Sequence, residues 1–314
     1  MQRYNGRRTI SNKMKTQNLF LGLLKLLSKL SGKHVFYVNK NYVKSGNTAI
    51  KSKEGFWICG DVFDQSDIAY GFTNNGAIEE FDTFLTKKIL TRLKQLYPER
   101  ALSFFDVGAN EGPYTLLAAS LGSVEVNSFE PIHQYASNLE ESCRINGFSR
   151  VTVHRYALSD EESEKDFFLA GTGSTLNKDF INNPGEKIKV KLKKLDNITK
   201  GSNILKPDFI KIDVEGHEYN VILGANKTIS TSKPVLFIEI AKNLDNLKRS
   251  FINENYAKIF NELDSLGYVC YLTHNSKIKE YDASKMLNGT HMFLFLHKEK
   301  HAPLINQLID TLCE

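Results

Sequence analysis

Three carboxylates and a histidine crowd six positions, Asp213-Val214-Glu215-Gly216-His217-Glu218, at the end of the largely apolar run Asp208 to Val214. Mutual repulsion pushes the titration of clustered carboxylates upward, which suits a general base. His217 is an alternative base, because an unperturbed imidazole titrates near neutrality. Strand alternation puts Asp213 and Glu215 on one side. Helix onset after Gly216 is expected to turn His217 and Glu218 towards solvent, with Glu218 as a helix N-terminal charge. Lys211, inside the same run, needs an acid such as Glu239 or an edge position, since an unpaired buried lysine is costly.

A second chemical stretch is Asp106-Val107-Gly108-Ala109-Asn110-Glu111-Gly112. Its spacing is Asp-x-Gly-x-x-x-Gly. Dinucleotide-binding turns use Gly-x-Gly-x-x-Gly so that a pyrophosphate can approach a helix N-terminus. Here one glycine is missing, and Asp106 would repel a phosphate but attract an α-ammonium. Asp106, Gly108, Asn110 and Gly112 are therefore candidates to hold the amino-acid end of a nucleoside ligand. S-adenosylmethionine offers such an ammonium. Further on, Phe129-Glu130-Pro131 ends a second strand, where Glu130 can accept hydrogen bonds from both ribose hydroxyls. After a third strand, Ala157-Leu158-Ser159-Asp160 places Ser159 and Asp160 to flank an adenine ring. The polar loop Gly171 to Asn177 offers Ser174 and Thr175 as substrate contacts. Glu79 and Glu239 are further substrate-side candidates, with Asn74 and Gly76 beside Glu79. No second histidine stands at helical spacing near the acid cluster, so no metal site is expected.

Regular alternation positions these residues. Strands are read at Leu102 to Val107, Glu125 to Phe129, Val151 to Leu158, Asp208 to Val214 and Val235 to Ile240. Helices are read over Ile78 to Tyr97, Pro113 to Leu121, Ile132 to Asn146, from Glu218, and over Leu247 to Leu266. A hairpin, Lys165 to Leu169 with Lys187 to Leu192, interrupts the pattern, and Tyr268 to Thr273 and His291 to His297 follow. The expectation is an α/β, doubly wound sheet, mostly parallel with one antiparallel strand near the edge and helices on both faces. Its carboxyl-end loops converge on one crevice. The organisation reads as a basic tail and amphipathic helix (1–33), an N-terminal extension (34–100), the main domain (101–300) and a C-terminal helix (301–314).

Composition narrows the class. Of 314 residues 41% are hydrophobic and 25% charged, with net charge +5, which is globular and too mildly basic for a dedicated nucleic-acid binder. Cys59, Cys143, Cys270 and Cys313 form no CxxC pair, which argues against zinc and disulfide scaffolds and fits a reducing, cytoplasmic setting. The segment Thr16 to Leu30 is interrupted by Lys25 and Lys29 and is too short for the roughly 20 apolar residues of a membrane span. It reads as an amphipathic helix that either packs on the domain or rests on a membrane surface or partner.

In order along the chain, the Asp106–Gly112 turn, Phe129-Glu130-Pro131, Ala157-Leu158-Ser159-Asp160, Ser174-Thr175-Leu176, Leu195-Asp196, Ile210 to Glu218, Lys233-Pro234 and Ile238-Glu239 resemble the FkbM-type methyltransferases. The resemblance covers roughly Ile78 to Ala241. It implies a class I Rossmann-like enzyme that uses S-adenosyl-L-methionine, with relatives that methylate hydroxyls of sugars or polyketide-like natural products. It places Asp106, Gly108 and Asn110 at the amino-acid part of the cofactor, Glu130 at the ribose, Asp160 near the adenine, and Asp213, Glu215 and His217 beside the methyl. The expected acceptor is a small molecule or glycan. The rival readings are a catalytically silent interaction or membrane-docking module and, against the missing glycine, a nicotinamide-dependent oxidoreductase.

Overall fold

The computed structural model describes residues 47–61, 68, 80–171, 173–177, 186–201, 203–242, 253–274, 277–285 and 287–305. The basic segment 1–33, Asn74, Gly76, Glu79 and most of the C-terminal helix lie outside the described residues.

Apolar alternation on the central strands decides the layering. In β3 (Leu102–Val107) every residue is buried. Leu102 and Phe104 point to one face, where they meet Leu85, Ile89 and Leu93 of α1 (Glu80–Leu96) and Tyr114 and Ala118 of α2 (Pro113–Ser120). Phe105 and Val107 point to the other face. There they pack with Val221 and Ile222 of α5 (Glu218–Gly224), Ile229 of α6 (Asn226–Ser232) and Ile259 and Leu263 of α7 (Tyr256–Ser265). A strand covered on both faces has no solvent side, so it is apolar on both faces except at the buried Ser103 and Asp106.

The remaining main strands are β4 (Val124–Phe129), β5 (Val151–His154), β9 (Phe209–Ile212), β10 (Val235–Ala241), β11 (Tyr268–His274), β12 (Lys277–Glu280) and β13 (Thr290–His297). They form one eight-stranded sheet in the order β12-β11-β13-β10-β9-β3-β4-β5. Strands β5, β4, β3, β9 and β10 are parallel neighbours, and β13 inserts antiparallel between β10 and β11. The expected antiparallel strand is thus β13, and the short, Lys/Glu-rich β12 adds a further one at the edge itself. Chain order reverses between β3 and β9. Open α/β sheets hold their ligands at such a switch point, outside the carboxyl ends of the strands.

The third predicted strand differs from expectation. It stops at His154, and Ala157–Leu158 (β6) leaves the main sheet to pair with β8 (Lys187–Lys193). With β7 (Ser163–Phe168) these form a separate three-stranded sheet, in which Phe167, Val190 and Leu192 are buried and Lys187, Lys189 and Lys191 are exposed. The break falls at Arg155 and Tyr156. Arg155 is drawn to Glu140, Ser137 and the His133 carbonyl of α3 (His133–Asn146), and Tyr156 leans on Phe129 and His154. Two smaller elements complete the frame: the hairpin β1 (Asn47–Lys51) with β2 (Trp57–Asp61), and α4 (Leu195–Gly201). Among the described residues no helix is long and apolar enough to cross a membrane.

Candidate functional site

A cleft opens at the carboxyl ends of β3, β4, β6 and β9. Gly108, Asn110, Glu130, Asp213, Glu215, His217 and Ser174 all border it.

The first wall is the turn from β3 to α2. Gly108 has φ +80°, and a Cβ there would lie 1.8 Å from the Asp213 carbonyl oxygen. Only glycine lets the turn press against the end of β9. Asn110 also adopts positive φ, and its side-chain oxygen accepts from the Glu111 amide at 2.8 Å. Gly112 sits away from the cleft, where a Cβ would strike the Leu139 side chain of α3. Asp106 is a correction to the sequence reading. Alternation sends residues 102, 104 and 106 to the α2 face, where Thr115 Oγ1 donates to Asp106 Oδ2 at 2.7 Å. The carboxyl is 1% exposed, does not border the cleft, and is raised in pKa chiefly by burial, against the lowering effect of Lys211, its register neighbour on β9. Asp106 therefore supports the turn from behind, outside the cleft lining.

Glu130 caps β4 and forms the second wall. Its oxygens accept from the Asn110 amide at 2.8 Å and the Ile132 amide at 2.7 Å. Burial pushes its pKa up to about 7 despite those two donors. Each oxygen keeps a further lone pair, so the group retains the capacity to accept from a vicinal diol. The adenine-side candidates lie one layer further out. Ser159 is buried, and its hydroxyl donates to Asp160 Oδ1 at 3.1 Å. Burial alone would raise Asp160, but hydrogen bonds from Asn220 and Ser159 hold it below the usual carboxylate range. Neither Ser159 nor Asp160 borders the cleft itself; Phe129, Ala157, Leu158 and His217 do.

The acid turn forms the third wall. Asp213 takes a 2.9 Å hydrogen bond from Lys211 Nζ, and Lys211 is buried beneath the Tyr114 ring at 4.4 Å. The buried lysine thus has both a charge partner and a π-face, as its position inside a strand demands. Asp213, Glu215 and Glu239 bring one carboxylate oxygen each within 4.8 Å of one another, a set of hard donors chemically able to hold a divalent cation.

His217 and Glu218 do not turn to solvent. His217 Nε2 lies 2.9 Å from Ser159 Oγ, and desolvation drives the imidazole down to about 4, so it is neutral at pH 7 and a weak base. The imidazole tautomer sets which of His217 Nε2 and Ser159 Oγ donates in that contact. Glu218 is 2% exposed because Oε1 folds back to accept from the Gly216 amide at 2.9 Å; burial raises it to about 7.

Ser174 borders the cleft, with its hydroxyl donating to the Gly171 carbonyl at 2.6 Å. Thr175 is fully buried and does not border it. Leu176, from the Ser174-Thr175-Leu176 motif, also lines the cleft, as do Tyr135, Ile132 and Phe167, which were not singled out from sequence. Tyr135 stands one helical turn after Pro131, a position that a loop following a strand-end acid already marks.

The Methyltransferase FkbM domain model matches residues 106–270, just over half of the 314-residue chain. No curated protein matches the sequence. Similar solved structures include the methyltransferase FkbM from Methylobacillus flagellatus KT, 20% identical with TM-score 0.41. That match covers 62% of this chain, and the chain spans 43% of that protein's length. A precorrin-6y C5,15-methyltransferase from Geobacter metallireducens GS-15 is 14% identical over 69% of this chain and 87% of its own, with TM-score 0.38. TYW2 from M. jannaschii, solved in complex with AdoMet, is 12% identical over 83% of this chain and 87% of its own, with TM-score 0.37. On the strength of the matched domain, which spans the turn, Glu130 and the acid cluster alike, the chain belongs to the FkbM methyltransferase family.

Proposed function

We propose that the chain transfers a methyl group from S-adenosyl-L-methionine to a hydroxyl oxygen on a sugar, a glycan or a glycosylated natural product. The observation that carries the reading is a division of carboxylates across one cleft. Glu130 is buried among backbone donors on one wall, and the Lys211-paired Asp213 stands with Glu215 on another. The residues fit the cofactor. The Gly108 turn lets backbone approach closely, Glu130 has acceptor capacity for ribose hydroxyls, and Phe129 and Leu158 give apolar surface for a base.

Bound there, the donor supplies a methyl carbon already made electrophilic by its sulfonium. The protein's share is alignment and proton removal. Asp213 is the base: it is held in place by Lys211, whereas the His217 imidazole is committed to Ser159 and is weakly basic. Phe167 and Leu176 line the cleft with apolar surface that excludes water from the acceptor oxygen.

Calorimetry with S-adenosylhomocysteine and NAD tests the donor assignment; binding of NAD alone would overturn it. Radiolabelled methyl transfer to a panel of saccharides tests the acceptor. Methyl appearing on an amine or on carbon would overturn O-methylation, and methyl on a carboxyl would overturn the hydroxyl acceptor.

A further inference from the structure

Thr175 was expected to touch substrate, but its geometry assigns it another task. Its backbone exchanges hydrogen bonds with Phe168, at 2.9 Å and 3.0 Å, which ties the loop to the end of β7. Its side chain points the other way. Oγ1 donates to the Glu215 carbonyl at 2.6 Å and accepts from the Asn177 amide at 3.0 Å. Glu215 is a non-glycine residue at φ +53°, followed by Gly216 at φ +92°. A side-chain-bearing residue holds that conformation only where its surroundings over-determine it. A short hydrogen bond to the carbonyl of that same residue, made by a fully buried hydroxyl, is such a constraint.

The two segments joined by this bond both border the cleft: Gly171, Ser174 and Leu176 on one side, Asp213, Glu215 and His217 on the other. We propose that Thr175 is a positioning residue that fastens the loop 171–177 to the acid turn 213–217, so that the acceptor-side wall and the base-bearing wall order as one unit. The functional part of this proposal rests on the reading of the cleft as the donor and acceptor site. The mechanical part rests on the hydrogen bonds alone.

Thr175→Val keeps the shape and removes the hydroxyl, leaving the Glu215 carbonyl and the Asn177 amide without that partner; Thr175→Ser keeps the hydroxyl. Hydrogen–deuterium exchange is read on the peptides carrying Ser174 and Glu215, with a peptide from β10 as reference, and S-adenosylhomocysteine affinity is read by calorimetry. The expected result for the valine variant is faster exchange in both peptides together, an unchanged reference, and affinity about tenfold weaker, the size of one well-placed hydrogen bond. The serine variant restores both readouts. In the wild type, S-adenosylhomocysteine slows exchange in both peptides together. Unchanged exchange at Glu215 in the valine variant, unchanged affinity, failure of serine to restore, or ligand protection of one peptide alone would overturn the proposal. Should wild-type protein not bind S-adenosylhomocysteine, the donor reading falls, while the exchange result still decides whether the fastening exists.

Discussion

Glu130 offers the sharpest test of the donor site, because one carboxyl controls two pH effects of opposite sign. Its pKa in the folded chain is about 7, against an ordinary value of 4.5, and burial is the leading cause. Ribose hydroxyls donate best to the ionised form, so donor affinity should be full above about pH 8 and fall as the carboxyl protonates. One pH unit below the midpoint about a tenth of the molecules are ionised, which predicts roughly tenfold weaker S-adenosylhomocysteine binding at pH 6, or about 1.4 kcal/mol. Stability runs the other way. The folded state binds this proton more tightly than the unfolded state does, so the ligand-free protein gains stability as pH falls from about 7 towards 4.5. Glu218 adds a term of the same sign, so the Glu130 contribution is the difference between wild type and Glu130→Gln. That variant should bind S-adenosylhomocysteine about 2–4 kcal/mol more weakly at pH 8, from the loss of charge-assisted hydrogen bonds, and should show no tenfold loss between pH 8 and pH 6. Calorimetry across that range is the assay. A flat wild-type profile, or wild-type affinity in Glu130→Gln, refutes the assignment of Glu130 to the ribose.

Asp213→Asn should lower methyl transfer to a responsive saccharide at least about 100-fold while leaving S-adenosylhomocysteine affinity within about threefold, and retained turnover removes Asp213 as the base. Gly108→Ala combines a positive φ with an approach of 1.8 Å to the Asp213 carbonyl. Its cost should exceed about 3 kcal/mol in urea unfolding, with a wild-type midpoint counting against the close approach. At the opposite end of the sheet, Asp208 accepts two hydrogen bonds from Arg100 at 2.6 Å and 2.7 Å and one from the Ser103 amide at 3.0 Å. Asp208→Ala should destabilise by about 2 kcal/mol without changing ligand affinity, because the exposed side of Arg100 is repaid by water while the buried Ser103 amide is not.

The parallel core was readable because its physics is local. Buried strands such as Leu102–Val107 are mostly apolar, and glycine and proline mark where they turn. Features that depend on partners distant in sequence were not readable. Val151 to Leu158 has no internal signal for a break; the break comes from Arg155 meeting α3 and from Leu192 offering Ala157 a new neighbour. Glu218 looked solvated because nothing in its spacing reveals that it folds back to the Gly216 amide. Asp106 is the instructive miss. The alternation that buries Phe104 on the α2 face also carries Asp106 there, so its orientation was available from the strand pattern and was outweighed by the attraction of a carboxylate in a glycine turn.

The departure of β6 from the main sheet bears on how such a chain diversifies. Gly108, Asn110, Glu130 and Asp213 hang from the ends of the large sheet, whereas Phe167, Ser174 and Leu176 come from the small sheet and its loop. Substitutions and length changes in 163–193 can accumulate without disturbing the register of β3, β4 and β9. On the function and the fastening proposed above, selection can then explore new acceptors on one scaffold while holding the donor chemistry fixed, with Thr175 as the position least free to drift.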